Sequence, residues 1–237
     1  MIKVPYLKFY FVNFSNLLFQ LLELLKTRIK AGRITNLTDA RYFAARGVHW
    51  LGFQLDAGGE GHVSPQMFSA IKEWLEGPLY IGTFGASTPE EINEAVNLLG
   101  LDMVQVGFFL DRKGLASIKG APIIKEIVVE QTMNWTNIEQ QLADDDPLVE
   151  TFLLNFDKNG ITWEEIQKTP QALDHLKLIC NNFKIILSIV CKPIEIMKIM
   201  DTINPHGFNF VGGDEEKVGF KSFEEMDEIF DLLEIEQ

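Results

Sequence analysis

From residue 27 onward, short apolar runs alternate with segments in which apolar residues return every three or four positions. That is the pattern of strands and helices taking turns around a parallel sheet. The apolar runs predict strands at 27–32, 50–55, 79–84, 103–107, 123–129, 151–156, 183–189 and 207–211. The helical segments fall at about 36–47, 65–75, 89–98, 135–143, 163–179, 193–203 and 223–234, and the Gly-rich stretch after the fourth strand predicts no more than a turn. Helix starts are marked chemically. Thr88, Thr162 and Ser222 each stand three residues before a glutamate that can bond back to the cap's own N–H, and Ser64-Pro65 places proline where a helix needs no N–H.

Eight strand-helix units in about 210 residues fit a small (β/α)8 barrel, whose sites form from loops at the C-terminal ends of the strands. A doubly wound open sheet is the alternative, but no Gly-x-Gly-x-x-Gly or P-loop follows any strand. No linker, low-complexity tract or charge block divides residues 27–237, which read as one domain.

Residues 1–26 read as an N-terminal extension, rich in Phe, Leu and Tyr but interrupted by Lys3, Pro5, Lys8, Asn13, Asn16, Gln20 and Glu23. They are too broken to span a membrane and offer no signal-peptide cleavage site. An amphipathic helix packed on the domain, a membrane-surface anchor and upstream sequence from a misassigned translation start all remain open readings.

Composition narrows the partners. A chain of 237 residues with 46% hydrophobic content can bury a full core. The net charge of −13 and scattered lysines argue against a nucleic-acid partner, which needs clustered cations to displace counterions. Cys180 and Cys191 lie outside any metal-ligand or redox spacing and read as reduced thiols of a cytoplasmic protein. His49, His62, His175 and His206 are dispersed without helical pairing, so neither metal nor cofactor is expected.

Several stretches, taken in order, resemble one family, phosphoribosylanthranilate isomerase, the (β/α)8 enzyme of tryptophan biosynthesis. Family members open with Lys-Ile-Cys-Gly-Leu-Thr-Asn and a helix beginning around Asp-Ala. Here Lys30-Ala31-Gly32-Arg33-Ile34-Thr35-Asn36 and Asp39-Ala40 align without a gap. Leu51-Gly52-Phe53, Val63-Ser64-Pro65, Asp102-Met103-Val104-Gln105, Asn204-Pro205-His206-Gly207-Phe208-Asn209 and Gly219-Phe220-Lys221 resemble later family segments at matching spacing.

The resemblance implies an Amadori rearrangement with the first-strand cysteine as general base and an aspartate ending strand six as general acid. Those positions hold Gly32 and Asn155. Glycine takes no proton and a carboxamide does not replace a carboxylic acid. The ligand-holding parts differ as well. Gly61 stands where the family has arginine, Ser188-Ile189-Val190 replaces a strand-seven Ala-Gly-Gly run, and Gly107 replaces a histidine. The expectation is therefore a barrel that has lost the parent reaction and binds an unknown small molecule, phosphorylated ones included. A divergent active isomerase using Asp56 as base and Asp157 as acid is the alternative.

Lys30, Arg33, Gln105, Asn155, Gly212 and Gly213 are the expected ligand-binding positions. All but Gln105 have a plainer reading. Lys30 is either an anion-binding cation or the partner of an acid such as Asp56 or Asp157. Arg33 is a loop cation, Asn155 and Asp157 either form a polar site or cap the short loop after strand six, and Gly212-Gly213 is either a phosphate cradle or a turn. Cys191, just past strand seven, lacks the neighbours of a nucleophile and reads as a structural thiol.

Overall fold

A computed structural model describes residues 24–211, 215–217, 220–221 and 223–235. The expectations for residues 1–23, for the Ser222 cap and for Gly212 and Gly213 lie outside those residues.

Eight parallel strands close into a barrel in sequence order, with β8 hydrogen-bonded back to β1. They are β1 (Arg28–Gly32), β2 (Trp50–Gln54), β3 (Leu79–Phe84), β4 (Met103–Val106), β5 (Ile123–Val128), β6 (Thr151–Asn155), β7 (Ile185–Ser188) and β8 (Gly207–Val211). A two-stranded ribbon, β9 (Glu215–Lys217) and β10 (Phe220–Lys221), follows. The expected (β/α)8 barrel is present, and each strand lies within two residues of its expected bounds.

The helices are α1 (Leu37–Ala45), α2 (Pro65–Lys72), α3 (Pro89–Leu99), α4 (Arg112–Ser117), α5 (Trp135–Asp145), α6 (Trp163–Gln167), α7 (Pro170–Asn182), α8 (Glu195–Ile203) and α9 (Glu224–Leu233). The capping boxes at Thr88/Glu91 and Thr162/Glu165 form as expected, and Ser64 caps α2. Two helix expectations need correction. The stretch after β4 is not merely a turn: Asp111 accepts from the Gly114 N–H and starts α4, which buries Leu115. Gly114 suits that helix because a Cβ there would stand 2.7 Å from Leu110 Cδ1. The expected helix 163–179 is two helices, since proline disfavours helical backbone at the residue before it. Thr169 accordingly takes φ −115° and ψ 87°, and Pro170 opens α7.

The core has two parts. The larger lies between sheet and helices, with Phe43, Phe68, Phe152, Phe208, Trp163 and Phe230 almost fully buried. The smaller consists of Trp50, Ile81, Met103, Ile124, Leu153 and Ile186, one residue from each of six consecutive strands, and plugs the barrel interior. Two positions further along, the same strands carry Gly52, Thr83, Gln105, Glu126, Asn155 and Ser188. Strand alternation thus changes the filling from apolar to polar toward the C-terminal ends.

The described part of the N-terminal extension is short. Leu25 is 2% exposed in the main core and bridges Glu234, while the Lys26 N–H donates to the Leu233 carbonyl at 2.8 Å.

Candidate functional site

The polar layer forms the floor of a cavity of about 450 Å³ at the C-terminal mouth, where Lys30, Gln105, Glu126, Asn155 and Asn209 are lining residues. Two hydrogen-bonded groups make this floor. In the first, Lys30 Nζ donates to Asn209 Oδ1 at 2.8 Å, and Asn209 Nδ2 donates to Ser188 Oγ at 3.0 Å. The pairing of β1 with β8 sets this contact, because Lys30 and Asn209 are register partners.

The second group is centred on Glu126, a carboxylate 7% exposed. It accepts from Gln105 Nε2 at 3.1 Å and Asn155 Nδ2 at 2.7 Å, and Lys158 Nζ pairs with it at 2.7 Å. The Lys158 N–H in turn donates to Asn155 Oδ1 at 3.0 Å. Asn155 therefore fills both roles foreseen for it, bonding within a polar site and capping the shortened loop. Gln105 Oε1 is buried without a partner among the described residues. Since its amide nitrogen is occupied by a carboxylate, which only accepts, the oxygen is the end left free.

Lys30 is 2% exposed, and burial lowers its ammonium from the ordinary 10.5 to about 8; the nearby Glu126 carboxylate opposes that shift and Lys158 adds to it. A lysine at that value is still mostly ammonium at pH 7 but holds a far larger share of free amine than an ordinary lysine.

The rim differs around the mouth. On the β1 side Arg33 pairs with Glu60, both exposed. Arg33 has φ +53°, the conformation glycine favours, and it occupies the glycine of the Lys-Ile-Cys-Gly motif. The backbone turn is kept although the side chain has changed. On the β4 side Phe108 and Phe109 line the mouth at 46% and 89% exposure.

Lys30, Gly32, Arg33, Gln105 and Asn155 thus line one cavity, as does Gly107. Asp56 and Asp157 are not among its lining residues. Asp56 organises the loop after β3, accepting from the Ala86 N–H at 3.0 Å, from Gln54 Nε2 at 3.3 Å, and from the Gly85 N–H and Ser87 Oγ. Asp157 is exposed and opens the short turn Asp157–Asn159. Neither acid bonds Lys30, whose partner is the neutral Asn209.

Cys191 is a free thiol pushed up to about 12 by burial, with a smaller contribution from Glu195. Cys180 is likewise free, and burial raises it to about 12. Glu126, Lys158 and Asn209 were not foreseen. A signal for Glu126 existed, since a carboxylate interrupts the apolar run Ile123-Ile124-Lys125-Glu126-Ile127 at a position inside the barrel, and such a group needs partners.

A closed parallel barrel with a polar pocket at the strand C-termini defines the class, a (β/α)8 barrel protein. Residues 29–232 match the family described as N-(5'phosphoribosyl)anthranilate (PRA) isomerase, and the chain belongs to that family. The N-(5'-phosphoribosyl)anthranilate isomerase of Chlorobium phaeobacteroides (strain BS1) is 25% identical over 213 residues, 84% of this chain and 93% of that protein. Among solved structures, the phosphoribosyl anthranilate isomerase of Thermotoga maritima superposes with a TM-score of 0.70 at 22% identity, covering 86% of this chain and 96% of that one. Another isomerase, solved with reduced 1-(o-carboxyphenylamino)-1-deoxyribulose 5-phosphate, has a TM-score of 0.64 at 24% identity, covering 86% and 96%. No helix among the described residues is long and apolar enough to cross a membrane.

Proposed function

We propose that this barrel holds a small anionic molecule with an apolar or aromatic part, phosphorylated sugars and their aryl-amine conjugates being the fitting class, and that it does not carry out the isomerisation for which its relatives are named. The observation that carries this reading is the pair Gly32 and Asn155, which line the mouth where the family base and acid belong. Positioned acid-base groups contribute about 10²–10⁴ each, so the absence of both leaves little of the rate even after non-additivity. Lys30 and Lys158 favour an anion, and Phe108 and Phe109 offer apolar surface across the mouth. Glu126 favours a second reading, a divergent isomerase in which this carboxylate carries the proton.

The test is turnover of phosphoribosylanthranilate, followed by fluorescence, beside calorimetric binding of the reduced deoxyribulose phosphate analogue. The expected result is no turnover, with analogue binding weakened at least tenfold in Lys158→Ala. Turnover by the unmodified protein that vanishes in Glu126→Gln establishes the divergent isomerase instead.

A further inference from the structure

Among the described residues, two lysines are buried to the same degree and treated oppositely. Lys125, 3% exposed, lies outside the barrel interior with its Nζ 2.6 Å from Asp145 Oδ2. Lys30, 2% exposed, has no carboxylate partner among the described residues. The acceptor given for its Nζ is Asn209 Oδ1, an amide whose other end is held by Ser188. An ammonium carries three donors and asks for a counter-charge when buried, whereas a free amine asks for neither. The site fits the amine.

The space around the nitrogen is also shaped. A Cβ at Gly52 would stand 3.0 Å from Lys30 Nζ, and one at Gly32 would stand 3.3 Å from it and 2.9 Å from Asn209 Oδ1. The neighbouring interior positions on β1 and β2 are both glycine, so the amine faces the cavity uncrowded. Gly32 thus leaves room for the ends of the Lys30 and Asn209 side chains, which a Cβ there would crowd. Gln105 Oε1, a buried acceptor with no partner among the described residues, belongs to a residue lining the same cavity and suits a ligand hydroxyl.

We propose that Lys30 is a nucleophile that forms an imine with small hydroxy-aldehydes or ketoses, above all phosphorylated ones. The Nζ lone pair adds to the carbonyl carbon, and one amine proton passes to the carbonyl oxygen to give a neutral carbinolamine. The hydroxyl then takes up a proton from solvent, the C–O bond breaks as water leaves, and the nitrogen, keeping its one remaining hydrogen, is left doubly bonded to carbon as a positive iminium. No oxidant or reductant enters. The Glu126 carboxylate lies opposite the positive iminium as a positioning residue, and Lys158 draws the ligand's phosphate toward the mouth. The proposal rests on the reading of the mouth as a small-molecule site.

The experiment is reductive trapping of the full chain with D-glyceraldehyde 3-phosphate and sodium cyanoborohydride at pH 7, followed by peptide mass mapping. Lys30 should acquire the adduct at least tenfold faster than the exposed Lys113 and Lys119. That preference should disappear in urea-unfolded protein. Lys30→Arg should lose the adduct at position 30 alone, and Glu126→Gln should slow labelling of Lys30 at least tenfold without changing Lys113. Saturation with the reduced deoxyribulose phosphate analogue should protect Lys30. Labelling of Lys30 in the native wild-type chain no faster than Lys113 overturns the proposal, whatever the variants do. Selective labelling in a protein that does not bind the analogue overturns the ligand reading and leaves the imine chemistry standing. Binding of the analogue without labelling overturns the imine alone.

Discussion

Burying Lys30 destabilises the protein in a way that pH exposes. Its folded value of about 8 lies below the ordinary 10.5, so between those values the unfolded chain holds the proton and the folded one does not. Folding stability therefore rises with pH across that window, and below it the full cost of desolvating the ammonium is present, on the order of 3 kcal/mol as an upper bound. Lys30→Met should raise stability at pH 7 by about 1–2 kcal/mol after Asn209 Oδ1 loses its donor, and the gain should shrink toward pH 10. Urea unfolding at both pH values measures this, and a gain independent of pH refutes it. Such a cost accords with the ligand-binding role proposed for Lys30. The position of Lys30 on the same strand face as Gly32 was legible, and so was the loss of the family cysteine at Gly32. The partner was not, because Asn209 lies 179 residues away and only barrel closure brings it to 2.8 Å.

At the scale of an element, Lys125 shows how one strand serves two environments. Lys125 and Glu126 are neighbours on β5, so strand alternation sends one toward α5 and the other into the mouth. The Lys125–Asp145 pair is almost fully withdrawn from water. Removing one partner strands the other charge. Asp145→Ala should cost about 3–5 kcal/mol, and a double replacement by apolar residues of similar size should recover most of that. Paired thermal and denaturant melts decide it; a loss below about 1 kcal/mol for Asp145→Ala would show that water or the Leu110 carbonyl, 3.3 Å from Lys125 Nζ, solvates the orphan ammonium. Helix starts were readable wherever a hydroxyl and a glutamate stood three apart, since the reciprocal bonds are local. The break at Thr169-Pro170 was equally local and was overlooked because the apolar period continues across it. At α4 the Gly114 signal misled, since close packing on Leu110 outweighs glycine's low helix propensity.

For the whole molecule, the ends of the described chain meet. The Ile235 N–H donates to the Leu24 carbonyl at 3.0 Å, and Leu25 lies in the main core beside a cavity lined by Arg28, His49, Lys184 and His206 at the N-terminal face. We propose that residues before Leu24 are dispensable for folding while Leu25 is not. A chain begun at Leu24 should unfold cooperatively, and Leu25→Ala in the full chain should cost about 2–4 kcal/mol. Thermal melts of the two proteins test this, and a chain from Leu24 that melts without cooperativity would place the extension within the folding unit.

Strand and helix order, the barrel class and the family itself could be read from residues alone, because periodicity and capping act over a few positions and the motifs keep their spacing. The chemistry of the mouth could not. Asp56 as base and Asp157 as acid looked available in one dimension, yet the first bonds the loop after β3 and the second is exposed, while Glu126 gathers Gln105, Asn155 and Lys158 from three neighbouring segments. Which polar groups meet inside a barrel depends on strand register and closure, and those are settled by contacts between residues far apart in the chain.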